Sequence, residues 1–91
     1  MTQLDFSKKL GKKRKEIDLI DQKLSNLLNQ RLRIALEIGK MKKERREKVY
    51  DPGREKEILK KLKRKNKGPM KEEDLEKIFR MIMKVCRKSQ N

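Results

Sequence analysis

The first proline of the chain is Pro52, so no proline interrupts the first half of the sequence. Proline is poorly tolerated inside a helix, and the two prolines stand with glycine in the segments 51–53 and 67–69. This pattern predicts an all-α chain that forms a single domain over residues 1–91. The predicted helices run from about Ser7 to about Glu47, from Pro52 to about Lys65 and from about Lys71 to Lys88.

Local signals mark the ends of the second helix. Asp51 is able to cap its first turn, and Pro52 suits the first helical position because the N–H that proline lacks has no partner there. Gly68 and Pro69 are the usual residues after a helix end, and acidic residues at 72–74 favour the start of a third helix.

The length of the first predicted helix requires a partner. A helix of about 40 residues is roughly 60 Å long, far longer than a compact domain of this size. The two shorter helices supply too little surface to cover it. We therefore expect an intertwined homodimer in which each long helix lies against the other chain.

The composition excludes several kinds of site. Cys86 is the single cysteine and the chain has no histidine, so neither an internal disulfide nor a soft-metal site is expected. Residues 1–10 lack the apolar run of a signal peptide, and no segment approaches the roughly 20 apolar residues of a membrane span. We expect a cytoplasmic protein that holds no metal ion and does not enter a membrane.

The net charge of the chain predicts an anionic partner but does not identify which kind. Lysine and arginine total 29 against 14 acidic residues, a formal net charge of +15. The basic runs 8–15, 40–46 and 60–67 support an alternative function as a nucleic-acid-binding protein, and a heptad-like pattern in the first helix would also suit a scaffold protein. The three aromatic residues are too few for the stacking platforms that bind single strands, which modestly weakens the nucleic-acid alternative.

Steps of four and three residues along the first helix predict an apolar stripe that contains four charged residues. The stripe consists of Leu10, Arg14, Ile17, Asp21, Leu24, Leu28, Arg31, Ala35, Ile38 and Lys42. Arg14 and Lys42 alone would suit exposed helix ends, and Asp21 and Arg31 would suit ion pairs. Arg31, however, stands between Leu28 and Ala35, where a bound anion would offset its desolvation.

Spacing limits which cations bind one small anion. Arg31 and Lys42 lie about three turns apart, roughly 16 Å, within reach of two long side chains. Arg14 and Arg31 are roughly 25 Å apart along one helix, so Arg14 serves another site or reaches this one from a second chain. An antiparallel pair of long helices would bring Arg14 of one chain beside Arg31 or Lys42 of the other.

Five segments in a fixed order carry a resemblance to a known family. They read RKEIDLID at 14–21, LLNQR at 27–31, ALEIGKMK at 35–42, VYDPGRE at 49–55 and NKGP at 66–69. The set resembles the all-helical class of chorismate mutases, including the mutase domains fused to prephenate dehydratase. The resemblance implies a dimer of three-helix chains that converts chorismate to prephenate without a cofactor, in phenylalanine and tyrosine biosynthesis.

The resemblance also implies a role for each site residue. Arg31, with Arg14 of the partner chain, would bind the two carboxylates of the substrate. Lys42 would contact a carboxylate and the ether oxygen, and Gln90 would donate to the same oxygen. Glu55 would bind the ring hydroxyl. Further substrate-binding positions at the start of the second helix are Asp51 and Arg54.

Two positions near the C-terminus complete the implied site. Cys86 occupies a position that is often serine in the family, where the side chain touches a carboxylate. A thiol is a weaker donor, and a small buried apolar residue beside Phe79, Ile82 and Met83 is the alternative interpretation. The role of Gln90, the penultimate residue, requires the third helix to stay ordered almost to the end of the chain.

Overall fold

Three α-helices and no strand make up the described chain, residues 2–91 of a computed structural model. Helix α1 spans Gln3–Glu44, α2 spans Pro52–Lys65 and α3 spans Glu72–Gln90. The prediction of an all-α chain with three helices is confirmed. Met1, the first residue of the predicted domain, lies outside the described residues. No helix among residues 2–91 is long and apolar enough to cross a membrane.

Helix α1 ends at Glu44, before the predicted end near Glu47, because the chain turns at Arg46. Arg46 has a left-handed backbone (φ 57°). Its N–H donates to the carbonyl of Lys43 at 3.1 Å, and the N–H of Glu47 donates to the carbonyl of Lys42 at 2.8 Å. This pair of hydrogen bonds is the Schellman motif, which satisfies the last carbonyls of a helix and usually has glycine at the left-handed position.

We expect the substitution Arg46→Gly to stabilise the protein. An L-residue in the left-handed region costs about 1–2 kcal/mol, and glycine avoids most of that cost. The free energy of unfolding, measured by urea denaturation, should rise by about 1 kcal/mol. The neighbouring change Arg45→Gly is the matched control and should lower it. A destabilised Arg46→Gly variant would contradict the assignment of this turn.

The described residues form two compact units, one that ends at Arg31 and one that spans Leu32–Asn91. The first unit is helical from Gln3 onward, and its apolar side chains are largely exposed, including Ile17 at 55% and Leu24 at 51%. Exposed apolar side chains along one helix are typical of a surface that another chain covers.

In the second unit, α2 and α3 form an antiparallel helical hairpin. Glu55 in the first turn of α2 pairs with Arg87 in the last turn of α3, while Lys63 near the end of α2 pairs with Glu76 near the start of α3. The hydrogen bond from Lys63, together with that from Arg80, holds the pKa of Glu76 below its ordinary value.

The core of the second unit is small. The buried apolar side chains of the described chain are Ala35, Leu59, Met83 and Cys86. Each helix of the unit contributes to this set, because Ala35 belongs to α1, Leu59 to α2 and the other two to α3. A core of this size supplies little stability on its own.

Candidate active site

The end of α3 lies against the last part of α1. The side-chain amide of Gln90 donates through Nε2 to the backbone carbonyl of Ala35 at 2.6 Å. Gly39, one turn after Ala35, makes room for this contact, because a Cβ at position 39 would lie 3.0 Å from Cγ of Gln90. Helix α3 runs to Gln90, beyond its predicted end at Lys88, so the candidate donor is held by ordered structure.

Lys42 is oriented by the chain segment that leads into α2. Its ammonium group donates to the backbone carbonyl of Val49 at 3.3 Å, and its side chain is half-buried. The Schellman turn after α1 allows this contact, since it reverses the chain between the two residues. An ammonium group has three N–H donors, and the contact with Val49 uses one.

Asp51 and Arg54 make local contacts at the start of α2. The carboxylate of Asp51 accepts a hydrogen bond from the backbone N–H of Arg54 at 3.0 Å, as predicted for the N-cap. The guanidinium of Arg54 pairs with Glu57 at 3.0 Å on the exposed side of the helix. Lys61, together with Arg54, holds the pKa of Glu57 below its ordinary value.

Glu55 contacts a residue that the sequence did not single out. Nη1 of Arg87 lies 2.6 Å from Oε1 and 2.5 Å from Oε2 of Glu55. The guanidinium carbon of Arg87 also lies 4.6 Å from the centre of the Tyr50 ring, a cation–π contact. Hydrogen bonding to Glu55 raises the pKa of Arg87. No local pattern predicts this cluster, because Arg87 meets Glu55 only after α2 and α3 pair.

Cys86 is buried, with 7% of its surface exposed. Its burial agrees with the interpretation of a small residue inside the hairpin, beside Met83 in the core. A contact between Cys86 and a ligand stays a prediction.

The two arginines of the predicted carboxylate site belong to the unit that ends at Arg31. Arg14 is exposed on α1 and Arg31 is half-buried. Their roles in substrate binding stay predictions.

The structure therefore gives Lys42, Glu55 and Gln90 definite positions within residues 32–91, each fixed by a contact from another segment of that unit. Two of the three partners are backbone carbonyls, which no side-chain pattern reveals. Among residues 2–91 there is no group of three or more His, Cys, Asp or Glu side chains that could hold a metal ion.

Comparison with known proteins assigns the family. A family model described as chorismate mutase type II matches residues 13–91. A bifunctional chorismate mutase/prephenate dehydratase of Aquifex aeolicus is 40% identical over an alignment of 77 residues, and the match covers 80% of this chain and 21% of that protein. A similar protein of Neisseria gonorrhoeae is 38% identical over 73 residues, which are 80% of this chain and 20% of its own length.

Solved structures support the same family assignment. A structure of chorismate mutase (form II) from Thermus thermophilus superimposes with a TM-score of 0.89 at 34% sequence identity, over 90% of this chain and 93% of that one. Form I from the same organism gives a TM-score of 0.84 at 36% identity, over 86% and 98% of the two chains.

This three-helix chain therefore belongs to the chorismate mutase type II family. It spans about a fifth of the length of the curated relatives that it matches.

Proposed function

We propose that this chain catalyses the rearrangement of chorismate to prephenate. The observation that carries the proposal is that Lys42 and Gln90, the two implied donors to the ether oxygen, are each oriented by a backbone carbonyl within a chain of this family. The reaction is pericyclic, so the ether bond breaks as the new carbon–carbon bond forms, and the protein supplies no nucleophile or general base. A cofactor and a metal ion are not required.

Lys42 has the properties needed to stabilise the transition state. Negative charge grows on the ether oxygen as the bond breaks, and an oriented cation lowers the energy of that charge. Val49 accepts one hydrogen bond from the Lys42 ammonium. Two N–H donors remain, one for a substrate carboxylate and one for the ether oxygen. Because the side chain is already oriented, little reorganisation accompanies the reaction.

Gln90 acts on the same oxygen by the same principle. A side-chain amide has two N–H donors. One donates to the carbonyl of Ala35, which fixes the amide against α1, and the other is available to the ether oxygen. A neutral donor adds stabilisation there without increasing the repulsion between cations at the site.

We expect the substitution Gly39→Ala to lower activity with little loss of stability. A methyl group at position 39 would lie 3.0 Å from Cγ and 3.1 Å from Cβ of Gln90, so the glutamine must move. Misplaced donors cost roughly 10-fold to 100-fold in kcat/KM. Alanine favours the helix by about 1 kcal/mol over glycine, which offsets part of the steric cost.

Gly11→Ala is the matched control for that substitution. Gly11 also lies in α1, and within the single chain a Cβ there would have no neighbour within 4 Å. This variant should keep wild-type turnover of chorismate and gain about 1 kcal/mol in the free energy of unfolding. Equal activity in both variants would show that the position of Gln90 does not matter for catalysis.

The arginines are proposed to bind the two carboxylates of chorismate. A guanidinium forms two parallel hydrogen bonds to one carboxylate, which restrains the flexible enolpyruvyl arm in its reactive conformation. Arg31 would bind one carboxylate from the chain that supplies Lys42. Arg14 would bind the other carboxylate across the interface of an intertwined homodimer.

The exposed apolar side chains of α1 support the dimer. Ile17, Leu24 and Leu28 belong to the predicted apolar stripe, and each has 45–55% of its surface exposed in the single chain. A second copy of α1 would cover this stripe and bring Arg14 into the site of its partner. Residues 1–91 would form one mutase domain per chain, and a cytoplasmic location goes with this proposal.

The product identifies the reaction. Purified protein is incubated with chorismate in buffer without added metal or cofactor, and the product is followed by proton NMR. We expect the signals of chorismate to be replaced by those of prephenate, much faster than in the buffer control. Unchanged chorismate beside a folded protein would contradict the proposed function.

A further inference from the structure

Arg87 connects the predicted site residues of α2 with those of α3. Its guanidinium binds both carboxylate oxygens of Glu55 and lies over the ring of Tyr50. Tyr50 directly follows Val49, whose carbonyl orients Lys42, and Gln90 lies almost one turn beyond Arg87 on α3. Arg87 is therefore in contact with the segments that hold Lys42 and Glu55, and on the same helix as Gln90.

The contact between Arg87 and Glu55 is well suited to fix a carboxylate. The side chains of Arg87 and Glu55 are 30% and 20% exposed, so the pair is only partly accessible to water. Both carboxylate oxygens lie within hydrogen-bonding distance of Nη1, and a hydrogen bond between two charged groups is stronger than one between neutral groups. The stacked ring of Tyr50 restricts the guanidinium from a second direction.

The pairing of α2 with α3 does not depend on Arg87 alone. Lys63 and Glu76 form an ion pair at the other end of the hairpin, and Leu59, Met83 and Cys86 form the core between the ends. The fixed position of Glu55 is thus a separate consequence of Arg87. A carboxylate has about four lone-pair positions, and Nη1 of Arg87 occupies two of them.

We propose that Arg87 is a positioning residue that holds Glu55 in place. The remaining lone pairs of the Glu55 carboxylate then accept a hydrogen bond from the ring hydroxyl of chorismate. This inference rests on the proposed function and on the role implied for Glu55. Arg87 itself does not touch the reacting atoms. It acts through Glu55, by removing the rotational freedom that the carboxylate would otherwise lose on binding substrate.

A double-mutant cycle tests the inference in the full-length chain. Arg87→Met, which keeps the apolar stem and removes the charge, should lower kcat/KM for chorismate about 10-fold. Glu55→Gln should lower it by at least as much. The double variant should be no worse than Glu55→Gln alone, because Arg87 then has no carboxylate to position. Multiplicative losses, or an Arg87→Met variant within twofold of wild type, would overturn the inference.

A second substrate separates positioning from structural support. A chorismate analogue without the ring hydroxyl makes no demand on Glu55, so wild type and Arg87→Met should turn it over at rates within twofold. A loss of similar size for both substrates would instead indicate damage to the fold and overturn the inference. If Arg87→Met does not fold, Arg87→Lys replaces it, and its loss should likewise be confined to chorismate.

Arg80→Met is the matched control, since Arg80 also lies on α3 and pairs with a glutamate, Glu76, while its own side chain is exposed. It should keep wild-type kcat/KM. Wild-type protein without turnover would overturn the proposed function together with this inference. An active wild type with an unaffected Arg87→Met variant would overturn the inference alone.

Discussion

Lys42→Ala should lower kcat/KM for chorismate by about 1,000-fold while the protein stays folded. Removal of one oriented donor from a site that stabilises developing negative charge costs on the order of 100-fold to 1,000-fold, and Lys42 also contributes the charge itself. Lys42 contributes little to the stability of the fold, because its identified partner is the carbonyl of Val49 on a connecting segment. Initial rates of chorismate loss, with helix content followed by circular dichroism, measure both effects.

Lys43→Ala is the control for that loss. Lys43 is the next residue in the same last turn of α1 and is exposed. Its removal changes net charge equally, so it reports the effect of general electrostatic attraction and should leave kcat/KM within about twofold. Lys42→Arg should not restore activity, because a planar guanidinium does not replace a compact ammonium at one oxygen. Near-wild-type turnover by Lys42→Ala would refute the site assignment.

Mixed dimers of Arg14→Ala and Lys42→Ala chains should regain activity that neither parent has. If Arg14 crosses the interface, one site of the mixed dimer has Lys42 from the first chain and Arg14 from the second, and is intact. The other site lacks both residues. Mixed dimers purified through two different affinity tags should therefore show about half of the wild-type activity per dimer.

The combination of Arg31→Ala with Lys42→Ala is the control for the mixed-dimer experiment. Both residues are proposed to act in the site of their own chain, so each site of that mixed dimer lacks one of them and no activity should return. Recovery in this control, or none with Arg14→Ala, would contradict the proposed sharing of sites between chains. Each single variant should be inactive before mixing.

The helices were predictable from the sequence where their ends depend on local chemistry. Asp51 and Pro52 define the start of α2, and the cap and the first residue are where the sequence placed them. The end of α1 was placed about three residues too late because Arg46, and not glycine, takes the left-handed position. Nothing in the residue type indicates that conformation.

The site was predictable only in part. The resemblance to the family predicted Lys42, Glu55 and Gln90 as site residues, but the groups that orient them were not evident. Val49 and Ala35 act through backbone carbonyls, which every residue has, and Arg87 becomes relevant only when α3 folds back along α2. Long-range contacts of this kind depend on packing, and residue periodicity carries no information about them.

The most direct test of the proposed function is the rate at which chorismate disappears. It is followed by ultraviolet absorbance with purified protein in buffer that contains a metal chelator. We predict a rate proportional to protein concentration and at least a million-fold above the uncatalysed reaction when expressed per site, at the lower end of enzymatic accelerations. A rate equal to that of buffer alone, with the helices intact, would contradict the assignment of catalysis to this chain.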